Sequence, residues 1–222
     1  MDKGKYFEWI CLGGGAIGPG DDVTDLPRTN TGKKTIEQIR IEEQAARFSR
    51  LFDPDSPEFL GFIIIDKQVE IYDPNNNSKG TIDFVVRDVT DSSTMIIDLK
   101  LTKDATSTRS EYGWGNSWSE LDMLQLIHYR DLYYVHSRVL PRTALLVFDY
   151  SPDKVIKFGE ILISEKARRK KDIRIATGWD VIDLYNKNGW ITIPSKYECA
   201  ACPLNCPDRN KENVIERFTI NI

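Results

Sequence analysis

Two apolar runs, Gly80-Thr-Ile-Asp83-Phe-Val-Val and Met95-Ile-Ile-Asp98-Leu-Lys100-Leu, carry charges where a buried strand should carry none. An unpaired buried charge is costly, so a chain folding around these runs must bring the charges to partners. A short polar turn, Asp91-Ser-Ser93, separates the runs and makes them neighbouring strands. Two acids and a lysine then converge. A period of two puts Asp98 and Lys100 on one face with Ile96, puts Asp83 with Val85, and packs Leu99 opposite. Paired carboxylates suit a hard cation such as magnesium, and Leu99 can add its backbone carbonyl. A lysine beside them can orient or deprotonate a water and offset charge developing on a phosphate.

The surrounding sequence supplies a scaffold of alternating helices and strands. Residues 11–34 are rich in Gly, Asp, Thr and Pro and read as an irregular arm. Gly13-Gly-Gly15 lacks the following Gly-Lys-Ser/Thr of a phosphate loop. A helix is expected from Thr35, its cap, to Phe52, with Asp53-Pro54 as the stop. On its wheel Glu43 falls on an apolar stripe with Ile36, Ile39 and Ala46, which makes it a candidate third acid; Glu37 and Glu42 compete, and any of them can equally be a surface acid. Phe59 to Tyr72, about 80–89 and about 94–102 form a three-strand antiparallel meander. The loop 104–118 contains Tyr112, Trp114 and Trp118 among glycines, and these aromatics either stack on unpaired bases or form the loop's own small core. A helix from Ser119 to Ser137 has Leu121, Leu124, Ile127 or His128, and Leu132 as its stripe. It sets Gln125 and Tyr129 one turn apart on one face. His128 and His136 read as structural. Strands at about 142–151 and 155–163 extend the sheet. A basic helix at about 164–187 carries Lys166, Arg168, Arg169, Lys170 and Lys171, either as a phosphate-contacting patch or as a solvated face.

Composition bounds the class. The 222 residues suit one domain with a full core, and 41% hydrophobic and 29% charged residues are those of a soluble globular protein. No run approaches a membrane span and no secretory leader is evident, so a cytoplasmic location without membrane partners is expected. A net charge of −4 does not advertise a nucleic-acid binder, although concentrated basic residues can still serve one. Of four cysteines, Cys11 stands near the start, while Cys199, Cys202 and Cys206 cluster near the end. In a reducing compartment such thiols favour a metal over disulfides. Thiolate softness leaves zinc or an iron–sulfur cluster. Either needs Cys11 as fourth ligand, and so needs the two ends of the chain to meet.

In order along the chain, Gly80 before Asp83, then Asp98-Leu99-Lys100, then Gln125-Leu-Ile-His-Tyr129 resemble the motifs of the PD-(D/E)XK nuclease superfamily, and most closely its RecB-like branch. The cysteine pattern resembles that of CRISPR-associated RecB-like exonucleases, with a shorter last interval, Cys202 to Cys206, than those families have. The resemblance implies an α/β, restriction-endonuclease-like fold: a mixed central sheet flanked by helices, with a cysteine metal knuckle joining the N- and C-terminal ends. It implies a single nuclease domain over 1–222, with a catalytic core at 36–163 and a cysteine region formed by 1–35 and 188–222. It further implies a magnesium- or manganese-dependent deoxyribonuclease, an exonuclease acting on free DNA ends. The alternatives are a structure-specific endonuclease and a non-catalytic DNA-binding subunit. Asp83, Asp98, Leu99 and Glu43 would hold the cation, Lys100 would position water, and Gln125 and Tyr129 would support the site. A 4Fe-4S cluster is favoured over zinc at the four cysteines. DNA is the expected partner, with homo-oligomers or recombination and adaptation proteins as further candidates.

Overall fold

In the computed structural model, residues 2–13, 32–75, 77–108, 113–118 and 123–188 are described. Contacts divide the chain into two units, Met1–Asp172 and Ile173–Ile222. Cys199, Cys202 and Cys206, Tyr112, and Ser119 with Leu121 lie outside the described residues.

The chain begins with a helix that the sequence reading did not anticipate, α1 (Lys3–Leu12). Asp2 caps it by accepting from the Gly4 N–H, and Gly13, at φ 88°, closes it by donating to the Trp9 carbonyl. That left-handed closure is the usual task of a glycine just past a helix. The helix buries Tyr6, Phe7, Cys11 and Leu12. Tyr6, Phe7, Ile10 and Cys11 have helical spacing, so the signal was present in a segment read only as a short apolar patch.

The second helix, α2 (Ile36–Leu51), starts where expected, with the Thr35 hydroxyl accepting from the Gln38 N–H. Its phase differs from the expected one. Ile36 is 68% exposed and Ile39 44% exposed, while Gln38, Ile41, Gln44, Ala45, Phe48 and Leu51 are buried. The buried stripe is longer and holds the larger side chains, so it wins the contact with the sheet. Gln44 makes that burial tolerable by donating from its amide to the Asp149 carbonyl.

Five strands form one mixed sheet in the order β1-β2-β3-β4-β5: β1 (Phe62–Asp73), β2 (Ser78–Asp88), β3 (Thr94–Thr102), β4 (Arg142–Asp149) and β5 (Ile156–Glu160). β1–β2, β2–β3 and β4–β5 are antiparallel, as the short turns require. β3 and β4 are parallel, which demands a crossover, and α3 (Leu124–Ser137) supplies it. Its buried residues are Leu126, Ile127 and Leu132, so Leu126 joins the stripe read from the sequence. A last helix, α4 (Glu165–Asn188), follows β5. The architecture is thus α/β, a mixed five-stranded sheet flanked by helices.

Two apolar clusters occupy the two faces of the sheet. On one, α1 and α2 pack through Phe7, Ile41 and Phe48 onto Phe84, Val86, Met95, Ile97, Leu99, Leu146 and Phe148. On the other, Leu126 and Leu132 of α3 pack onto Val85, Ile96, Leu145 and Val147. The alternation along β3 and β4 follows from the pleat. Phe7 is fully buried, with its ring 5.0 Å from that of Phe148. Replacing Phe7 with Ala should therefore cost about 3–5 kcal/mol of stability, measurable as a lowered urea midpoint at unchanged slope.

Candidate active site

The β2–β3 ladder stops at Phe84↔Ile97. Beyond that pair β2 stays with β1, through Ile82↔Val69 and Thr81↔Glu70, and β3 stays with β4, through Asp98↔Leu145 to Thr102↔Asp149. The two strands separate as a fork, and the next residues on either side are Asp83 and Asp98. The Leu99 N–H, left without a strand partner, donates to Asp83 Oδ2 at 2.6 Å. The N–H and C=O of an extended residue face the same strand edge, so the Leu99 carbonyl faces the fork as well.

Lys100 completes the cluster. Its ammonium donates to Asp98 Oδ1 at 3.0 Å and pairs with Oδ2 at 2.8 Å. Asp98 is buried, with its side chain only 6% exposed, while Lys100 is half-buried. Burial alone would lower the Lys100 pKa, but the charge and hydrogen bond of Asp98 outweigh it and hold the pKa above its ordinary value. Lys100 is therefore a cation here. Two carboxylates face one ammonium, and the excess negative charge is confined in a poorly solvated gap. Burial, followed by the Asp98 charge, pushes Asp83 up to about 7, against the pull of the Leu99 N–H. Burial also raises Asp98, with Lys100 opposing.

The oxygen donors fit a hard cation. Among the described residues no three His, Cys, Asp or Glu side chains are grouped around a metal position. Magnesium, however, is usually held by one or two carboxylates together with waters and substrate phosphate. Asp83, Asp98 and the Leu99 carbonyl can offer that set, and a divalent cation would neutralise the charge that now raises Asp83.

Both faces of the sheet contribute to the fork. From α1, Glu8 feels first its own burial, then the charges of Lys100 and Asp98, and its pKa is raised. Glu8 thus feels the charges of the pair. Glu43 forms an ion pair with Lys154 at 2.6 Å. Glu37 pairs with Lys3 and Glu42 with Lys34. The expectation for Glu43 followed from the exposed phase of α2, whose Ile36 and Ile39 face away from the core.

From α3, Tyr129 comes over β2. A Cβ on Gly80 would lie 2.7 Å from Tyr129 Cε1 and 3.0 Å from Leu132 Cδ1, so the close approach of the ring requires a glycine there. The Gln125 amide donates to the Tyr129 hydroxyl at 2.7 Å. Burial raises the Tyr129 pKa, and the charges of Asp98 and Asp83 add to it. Tyr129 thus reaches the field of the acid pair, and Gln125 holds its hydroxyl. The His128 ring contacts the Lys79 carbonyl at 3.4 Å.

Other expected contacts fall elsewhere. Lys171 is buried and paired with Asp131, with Asp172 at 3.4 Å, so it does not present a free cation. Lys166, Arg168, Arg169 and Lys170 are exposed. Trp114 and Trp118 make the loop's own small core. Their rings meet edge to face at 6.0 Å, and the Trp118 indole donates to the Trp114 carbonyl at 3.3 Å. Gly159 of β5 leaves room for the Trp118 ring, since a Cβ there would lie 2.6 Å from it. Cys11 is buried in the apolar cluster beneath α1, and burial raises its thiol pKa.

No protein-family model matches the chain. No curated protein matches it either. Among solved structures it is similar to a protein of Eubacterium rectale provisionally named an exonuclease, with TM-score 0.49 and 18% identity over 74% of this chain and 59% of that one. It is also similar to the protein SSO0001, with TM-score 0.35 and 18% identity over 77% of this chain and 69% of that one. The chemistry of the fork therefore has to be argued from its own geometry.

The raised Asp83 sets a pH dependence. A carboxyl whose folded pKa lies above its unfolded value binds protons more tightly when folded, so its contribution is full below about 4 and is lost as pH rises through about 7. Glu8 and Asp98 are raised too and add to the same slope. In EDTA the Tm should fall between pH 5 and 8, and Asp83→Asn should flatten that fall. Magnesium, which replaces the proton, should raise the Tm more at pH 8 than at pH 5. A Tm in EDTA that rises across this range would contradict the assignment.

Proposed function

We propose that the chain is a metal-dependent deoxyribonuclease of the PD-(D/E)XK type, RecB-like in its motifs, with a restriction-endonuclease-like core, acting as an exonuclease on DNA with free ends. The observation that carries the reading is the fork itself. A strand ladder that stops at one pair leaves two carboxylates, an ammonium and a backbone carbonyl facing a common gap, next to a helix bearing Gln125 and Tyr129.

The roles follow from the chemistry of each group. Asp83, Asp98 and the Leu99 carbonyl hold magnesium or manganese. The bound cation neutralises charge on the scissile phosphate and lowers the pKa of water. Glu8, on the approach from α1, accepts a hydrogen bond from the hydrolytic water. Lys100 stays protonated beside Asp98, so it orients that water and donates to the phosphate as negative charge builds. Tyr129, held by Gln125, donates to a phosphate oxygen of the bound strand. Lys166, Arg168, Arg169 and Lys170 contact phosphates along the substrate, which gives affinity without sequence preference.

The iron–sulfur or zinc site is the part of the proposal carried by cysteine number and spacing alone. No step of the chemistry depends on it. A cluster would give the purified protein a brown colour and broad visible absorption, zinc would give a colourless protein with one metal per chain, and the absence of both would remove the site. No helix among the described residues is long and apolar enough to cross a membrane.

The test of the function is degradation of end-labelled linear DNA with magnesium or manganese, blocked by EDTA. Lys100→Ala should lower the rate about 100- to 1000-fold in protein that keeps its folded spectrum, since removal of a single preorganised donor costs on that order. Sparing of a covalently closed circle identifies an exonuclease, and its cleavage identifies an endonuclease. Binding of DNA without cleavage under any divalent cation would leave only the scaffold reading.

A further inference from the structure

A cavity of about 410 Å3 lies between α3 and the start of α4, within the unit Met1–Asp172. Cavities of this size take small-molecule-sized groups. Trp118, Leu124, Ile127 and Leu162 give it apolar walls, and the exposed Lys166 and Lys170 complete its lining. Leu162 is 88% exposed, so part of this apolar surface faces water, and a contiguous exposed patch marks a binding site in a way that a lone leucine does not. The charge here has one sign. Among the described residues no carboxylate lines the cavity, and the adjacent Glu165 is paired with Arg169. Lys166 and Lys170 stand one turn apart on one helix face. Neither has an ion-pair partner among the described residues.

An apolar slot alone would accept any apolar group, but two neighbouring ammoniums call for an anion beside it. A nucleotide joins both in one molecule, a flat base next to a phosphate. The position agrees with that chemistry. Asp98 and Lys100 share a strand face with Ile96, which packs in the cluster on the α3 side of the sheet. On the same side the Trp118 ring covers Gly159. Gly159 pairs with Leu145, and Leu145 with Asp98, so two strand spacings, roughly 10 Å, separate Gly159 from the acid. The first turns of α3 stand between fork and cavity. Gln125 holds the Tyr129 hydroxyl on one side, while Leu124 and Ile127 line the cavity on the other.

We propose that this cavity receives an unpaired base of the DNA strand, stacked on Trp118, with the adjoining phosphate held by Lys166 and Lys170. The inference takes its substrate from the nuclease reading and adds a base-sensitive hold to the phosphate contacts. Every base has a stackable face, so the hold is tolerant of sequence.

The test is binding by the full chain in EDTA, where no metal supports hydrolysis, of a short fluorescent single strand and of an abasic strand of equal length. The wild type should hold the base-bearing strand about tenfold or more tightly, the worth of a stacked base. Trp118→Ala should remove that preference. Leu162→Glu should remove it too, by placing a carboxylate in the cavity, and the exposure of Leu162 lets the fold survive the change. Replacing Lys166 and Lys170 together with Ala should weaken both strands alike and flatten the salt dependence. Equal wild-type affinity for the two strands, or a preference that survives Leu162→Glu, overturns the inference. Base-sensitive binding without metal-dependent cleavage sinks the nuclease reading and leaves the cavity assigned; cleavage with no base preference does the reverse.

Discussion

The structure turns on a ladder that cannot continue. One more pair beyond Phe84↔Ile97 would set Asp83 directly across from Asp98, and like charges opposite one another destabilise a sheet. β2 leaves with β1 and β3 leaves with β4, so every strand keeps a partner except at the gap. The Asp83 carboxylate takes over as acceptor for the orphaned Leu99 N–H. Lys100 takes Asp98. Both aspartates thus find a donor, yet the charge does not balance, and the excess negative charge is what a cation or a proton must answer.

An open fork in the middle of a sheet is reachable from both faces, which explains why the site draws on both layers. α1 brings Glu8 towards Lys100 and Asp98 from the side that also holds α2. α3, the crossover between the parallel strands, brings Tyr129 from the other. Gly80 lets that ring settle against the β2 backbone. A closed ladder would have kept these groups apart by the thickness of the sheet.

Much of this was legible because it is local. Strand alternation, Thr35 as a cap and Asp91-Ser-Ser93 as a turn each depend on neighbours a few residues away, and each was read in place. The failures were non-local. Ile36 and Ile39 look like a core stripe on a wheel, but α2 turns its Ile41, Ala45 and Phe48 side to the sheet, and Glu43 goes to Lys154 with the discarded face. Lys171 belongs to a basic run, but α4 packs it against Asp131. For Trp114 and Trp118 the sequence left two readings open, and in the fold Trp118 settles over Gly159 with Trp114 edge to face against it.

The sequence by itself determined that Asp98 and Lys100 share a face and that Asp83 lies on the adjoining strand, because a period of two and a tight turn leave no other arrangement. Tertiary structure decided which faces of α1 and α2 turn to the sheet and where the ladder ends. Those outcomes depend on competition between whole faces for the same buried area and on register summed over many pairs, and no single stretch of chain contains either.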